Sequence, residues 1–173
     1  MPRITADQAG GQNVLAFLDM IAASEIDAYT LAHSDAGYNV LVGSHGPETI
    51  NGQAIAPDVR LFGNYSTHPD ILNPALNSTA AGRYQELYHN YVAYKALLNL
   101  PDFSPVSQDL IAIQQLRERR AIPLIQQGQI TTAIYTCSNL WASLPGNSYG
   151  QRQNTIAMLI AAYKAGGGSV AVA

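Results

Sequence analysis

Charge is scarce in this chain. Of 173 residues only 12% are Asp, Glu, Lys or Arg, and the 9 basic residues are outnumbered by 12 acidic ones. A net charge of −3 and a pI near 5.7 argue against a nucleic-acid-binding domain, which is usually basic. Cysteine is almost absent: the single Cys137 excludes an internal disulfide and any multi-cysteine zinc site, so stability must come from packing. No stretch approaches the ~18 consecutive apolar residues that suggest a membrane span. The opening "MPRITADQAGGQ" has no apolar h-region either, so the sequence predicts synthesis in the cytoplasm with neither a secretion signal nor membrane insertion. His33, His45, His68 and His89 lack any close His-x-x-x-His spacing, and neither a metal nor another cofactor is expected.

What is present describes a folded domain. Apolar residues make up 47%, too many for a disordered chain, and the length suits one domain covering residues 1–173. A monomer is the default. Charge is uneven: residues 1–70 carry two basic residues against eight acidic ones, whereas residues 71–173 carry seven against four. Such asymmetry can polarise a cleft, and solvated faces produce it as often.

The pattern along the chain predicts helices around one β-rich insertion, an α+β domain. Val14, Phe17, Leu18 and Ile21 recur at helical spacing and predict a first helix over about 12–24. From Gly37 to Ser66 the texture changes. "GYNVLVG" and "RLFGNYS" read as short strands, with "HGPETINGQ" between them as turn. Further helices are expected over about 83–98, from Ser104 as N-cap and Pro105 towards Pro123, over about 130–138, and over about 154–164. The tail "AGGGSVAVA", about 166–173, reads as flexible.

The first helix ends in an unusual way. Glu25 and Asp27 stand at the negative end of its dipole, where Lys or Arg is preferred. The plain reading is a pair of solvated acids. The sharper one is that the dipole, a neighbouring carboxylate and partial burial together keep Glu25 protonated, as a general acid requires. Elsewhere, "CSNLWASLPGNSYGQ" sets the only Trp among Asn, Ser, Tyr and Gln. Such a loop suits a sugar, since the ring stacks on C–H faces while amides bond hydroxyls. For Trp141 alone, a place in the core is the competing reading.

Five blocks carry a resemblance. "FLDMIAASE", "NPALNSTAAGRYQ", "DFSPVSQD", "IQQLRERRAIPLI" and "CSNLWASLPGNSYGQ" are similar, in order, to blocks of the lambda-type phage endolysins, across about residues 14–165. The resemblance implies a lysozyme-like α+β fold with a small β-sheet or hairpin lobe flanking a cleft. It also implies a lytic transglycosylase acting on bacterial peptidoglycan glycan strands, which reaches the wall after a separate holin releases it. By position, Glu25 matches the catalytic acid of that family. The segment from Tyr65 to His68 matches an upper lip, and Asn139 to Gln151 a lower lip. Arg83, Tyr84 and Gln85 match a Gly-Arg-Tyr-Gln segment beside the cleft floor, with Arg83 expected to be structural. The implied substrate-binding set is Tyr65, Ser78, Tyr84, Gln85, Asn139, Trp141, Tyr149 and Gln151. Where the family places Gly-Thr after its acid, this chain has Ile26 and Asp27.

The chemistry this implies needs one acid: Glu25 protonates the glycosidic oxygen and then deprotonates the muramic acid C6 hydroxyl, closing a 1,6-anhydro ring. Two alternatives stand beside it. A true hydrolytic muramidase would add Asp27 or Asp35 as a second carboxylate, and a catalytically dead module would bind the wall without cutting it.

Overall fold

The structure, a computed structural model, describes residues 1–150 and 152–171. In chain order its elements are α1 (Ala6–Ala9), α2 (Gln12–Glu25), α3 (Ala28–Ala32), β1 (Glu48–Ile50), β2 (Gln53–Ile55), α4 (Tyr88–Leu98), α5 (Pro105–Glu118), α6 (Ile122–Gln126), α7 (Ile130–Thr136) and α8 (Ile156–Ala165). This is the α+β class that the sequence predicts. The chain divides into two compact units, where length alone suggests one domain. One unit is Met1–Ser24 with Ala112–Ala173, the other Glu25–Ile111. Among the described residues no helix is long and apolar enough to cross a membrane.

In the first unit the apolar face of α2, with Val14, Phe17, Leu18 and Ile21, is fully buried. Each such side chain is worth roughly 1.5–3 kcal/mol of burial. Helix α6 packs on α7, and α7 on α8. The helix expected to run to Pro123 breaks earlier. Arg120 adopts φ +57° and the Ala121 N–H reaches back to Leu116 O at 2.9 Å, a Schellman-like stop. Pro123 then falls in the first turn of α6, where its missing N–H costs no helical bond. Thr155 caps α8 by accepting the Met158 N–H. The tail is bound as far as Ala171, in place of the expected flexible end. Gly168 N–H donates to Tyr163 O, Ser169 N–H to Asn13 Oδ1 and Ala171 N–H to Gly128 O, at 3.0–3.1 Å. Val172 and Ala173, the rest of the expected tail, lie outside the described residues.

The second unit holds the β structure, placed differently from expectation. The regular hairpin is β1–β2, inside the stretch read as turn. Glu48 pairs with Ile55 and Ile50 with Gln53, joined by Asn51 and Gly52. Both turn residues have positive φ (+52° and +78°), which a type I′ turn requires. The two segments expected as strands do meet, but only through isolated bridges: Leu41 N–H donates to Arg60 O and Phe62 N–H to Asn39 O. Segment 40–42 also bonds on its other side, through Gly82 N–H to Val40 O and Val42 N–H to Ala80 O. The helix expected from Arg83 begins at Tyr88 instead, because residues 81–86 close a turn whose ends bond each other, Ala81 N–H to Glu86 O and back. Beneath these segments Phe62, Ala81, Tyr91, Leu100, Phe103 and Ile111 form a core cluster. Tyr91 meets Phe103 edge to face at 5.0 Å.

Candidate active site

Helix α2 ends on Glu25, which is partly exposed, and the chain turns at once into α3. Asp27 makes that turn as the N-cap of α3. Its Oδ1 accepts the Thr30 N–H at 3.0 Å, and its Oδ2 accepts the Thr30 hydroxyl at 2.6 Å and the Gly46 N–H at 3.1 Å. Burial works to raise the carboxyl, but bonds from the Thr30 hydroxyl and from the backbone N–H groups outweigh it and hold Asp27 below the usual carboxylate range. The acid that follows Glu25 is therefore an ionised cap for the next helix. Ile26 between them is buried, and a Cβ on Gly37 would stand 3.0 Å from its Cδ1. Thus one of the two acids at the helix end has a structural reason that the sequence reading missed. Its signal was ordinary N-cap chemistry, an Asp before "AYTLA".

A second carboxylate, Asp35, accepts the Tyr65 hydroxyl at 2.9 Å. Tyr65 meets Phe62 edge to face at 5.4 Å, so its ring is rooted in the unit's core while its hydroxyl serves Asp35. His68, placed at the end of the expected lip, is instead buried against Phe103, Tyr88 and Tyr91. Its Nδ1 accepts the Asp70 N–H at 3.1 Å, which leaves Nε2 to donate to Glu86 O at 2.9 Å. Burial lowers its pKa, against the Glu86 carbonyl and Asp70, so the neutral ring is favoured.

The Gly-Arg-Tyr-Gln segment turns inward as well. Tyr84 is buried, and its hydroxyl donates to Asp109 Oδ1 at 2.6 Å. The Tyr38 hydroxyl reaches the same oxygen at 2.7 Å. Burial, then the Asp109 charge, push the Tyr84 phenol well above its ordinary pKa. This geometry engages Tyr84 within the unit and argues against the expected sugar contact. Gln108 knits the layer together, accepting the Arg83 N–H at 2.9 Å and donating to Tyr38 O and Phe103 O. Arg83 is buried over the Tyr38 ring and donates to Ala36 O, in keeping with the structural part expected of it. Gln85, half-buried at φ +49°, donates to Gly82 O at 2.9 Å, and Ser78 accepts the Ala80 N–H at 3.2 Å; both side chains tie their own turns.

In the other unit, the loop after α7 is ordered by an amide that sequence reading did not single out. Asn147 Nδ2 donates to Ser138 O, Ala142 O and Leu144 O. Trp141 is buried, which places its ring in the core as the competing reading has it. The Asn139 amide is assigned with its oxygen towards Arg119, 2.8 Å from Nη2. Tyr149 is 53% exposed and its hydroxyl donates to Asn139 O at 2.9 Å, so Asn139 and Tyr149 are the loop's accessible candidates. Gln151 lies outside the described residues. At the base of the loop, Asn154 Nδ2 donates to Ser24 O and Ser24 Oγ, both at 3.1 Å, and Ser24 Oγ meets Ser143 Oγ at 2.5 Å.

Helices together with one small antiparallel hairpin make an α+β fold of the lysozyme-like class. Two solved structures agree. Lambda lysozyme complexed with a chitohexasaccharide is 44% identical and superposes with a TM-score of 0.78, covering 99% of this chain and 100% of that one. Another structure of lysozyme from bacteriophage lambda, 43% identical, gives a TM-score of 0.73 over the same shares. In sequence, the endolysin of Escherichia phage lambda is 46% identical over 90% of this chain and 91% of its own, and that of Escherichia phage P2 is 42% identical over 91% and 94%. The Endolysin family matches residues 15–170. The chain belongs to the endolysin family, lysozyme-like phage enzymes of the cell wall.

Proposed function

We propose that this endolysin is a lytic transglycosylase of peptidoglycan, with Glu25 as its single general acid and base. The observation that carries the reading is the engagement of Asp27. The carboxylate best placed by sequence to assist Glu25 already accepts three hydrogen bonds as a helix cap. The other candidate, Asp35, accepts the Tyr65 hydroxyl. A hydrolase flanks the scissile bond with two carboxylates; a transglycosylase needs only one. The chitohexasaccharide bound by lambda lysozyme, a β-1,4 chain of N-acetylamino sugars, supports a glycan strand as the ligand here.

In this reading Glu25 gives its proton to the oxygen linking N-acetylmuramic acid to N-acetylglucosamine, and the C1–O bond breaks. The substrate's own acetamido oxygen supports the positive charge at C1. Ionised Glu25 then takes the C6 hydroxyl proton as O6 bonds to C1, which regenerates the acid without consuming water. Attack within one sugar ring benefits from proximity. Tyr65, Ser78, Gln85, Asn139 and Tyr149 are the proposed sugar contacts that retain accessible surface, whereas Tyr84 and Trp141 are buried. The reading includes a separate release protein of the holin kind, through which the enzyme would reach the wall.

Mass spectrometry of fragments released from purified peptidoglycan tests this directly. The expected products end in 1,6-anhydro-muramic acid, one water lighter than reducing ends, and Glu25→Gln releases none. Reducing-end products would replace the mechanism with hydrolysis. Wall binding without soluble fragments would leave only a binding module.

A further inference from the structure

Helix α2 ends at Glu25, and the next two residues are Ile26 and Asp27, with no glycine among them. A helix leaves its last four carbonyls without intrahelical partners, and these are commonly met by a glycine turn or a basic side chain. Here the last turn holds no basic residue. Ile26 is buried and Asp27 is extended, with φ −65° and ψ 158°.

One donor to this turn comes from far along the sequence. Asn154 directs its side-chain amide to both the backbone oxygen and the hydroxyl of Ser24, each at 3.1 Å. The Ser24 hydroxyl is also within 2.5 Å of the Ser143 hydroxyl. Asn154 is fixed in turn, because its own N–H donates to Ser143 O at 2.8 Å. Ser24, Ser143 and Asn154 thus close a ring of hydrogen bonds around the last peptide before Glu25. All three side chains are only partly exposed, so water replaces these bonds imperfectly.

We propose that Asn154, with Ser143, is a positioning residue for catalysis. It fixes the direction in which α2 delivers Glu25 by bonding the Ser24 carbonyl in the helix's last turn, and it acts through Glu25. The inference rests on the reading of Glu25 as the general acid. A shift of about 1 Å in a catalytic group can cost on the order of 10²-fold in rate, which sets the scale of the effect.

Steady-state turnover of purified peptidoglycan by Asn154→Ala, Asn154→Asp and Ser143→Ala enzyme tests the proposal, each variant also made in a Glu25→Gln background. The expected result is a fall of roughly 10–100-fold in kcat for Asn154→Ala with KM within about threefold. Asn154→Asp should be no better, because it keeps the shape but puts an acceptor against the Ser24 carbonyl. Ser143→Ala, the mildest truncation, should show a smaller loss in kcat at an unchanged melting temperature. Any residual turnover of Glu25→Gln should not fall further when Asn154 is also replaced, since both changes act through one group. An unchanged kcat in folded Asn154→Ala, or a rise in KM alone, overturns the positioning role and leaves Glu25 as the acid. Full activity of Glu25→Gln would instead overturn the reading beneath it.

Discussion

Removing the Asp27 carboxylate separates a helix cap from a catalytic group. In Asp27→Ala, α3 loses its N-cap, a change that typically costs about 0.5–2 kcal/mol. The Gly46 N–H, on a buried residue, also loses its acceptor, at about 1–3 kcal/mol where water cannot replace it. Asp27 itself is exposed, so water reaches part of the gap and the lower ends of both ranges apply. The sum is about 1.5 kcal/mol, or a melting temperature lower by ~3–6 °C for a chain of this size. The pH dependence has a definite sign. Folding lowers the Asp27 pKa below its ordinary 3.8, so this stabilisation is present above that pH and is lost as pH falls through the folded value. Melting curves of wild type and Asp27→Ala should therefore converge below about pH 4. Turnover settles the chemistry. Asp27→Asn should stay within about tenfold of wild type, whereas loss of an essential acid or base costs ~10²–10⁴-fold. A loss of that larger size with an unshifted melting temperature would refute the cap assignment and return Asp27 to the reaction.

Other outcomes follow from the same geometry. Gly82→Ala places a Cβ against the Gln108 side-chain amide at φ +80°, and should cost more than about 2 kcal/mol by urea unfolding. His68 is buried neutral with its pKa lowered from 6.5, so its contribution is complete above that value and declines as pH falls below it. The melting temperature of wild type relative to His68→Gln should accordingly drop between pH 7 and pH 5, two conditions chosen to bracket the ordinary histidine value. Burial pushes the Cys137 thiol up to about 12, so a thiol reagent at pH 8 should label it only on unfolding, at the unfolding rate.

The legible parts of this fold were those set by local chemistry. The buried stripe of α2, Pro105 at the start of α5 and the α8 region all stand within a residue or two of expectation, because periodicity and first-turn residues act over one or two turns. Where distant segments compete, the reading failed. Arg83 to Gln85 have helical neighbours in sequence, yet the bridge of Ala81 to Glu86 and the amide of Gln108 bend them into a turn. The Asn51-Gly52 signal for the hairpin is present in the sequence, but in "HGPETINGQ" the many breakers mask the short strands they join. The proposal for Glu25 rests on its place at the end of α2 and on the resemblance. Asn154 and Ser143 were not legible, because nothing local marks an amide 130 residues away as the partner of Ser24.

The hairpin has a practical meaning. Its residues from Glu48 to Ala54 are exposed, it pairs as a sheet only with itself, and a side chain added at Gly52 would meet nothing within 4 Å. A peptide spliced between Asn51 and Gly52 would leave the buried aromatic cluster of its unit unaltered. That tip is a ready attachment point for cargo, such as a segment that carries the enzyme through an outer envelope or tethers it to a solid support.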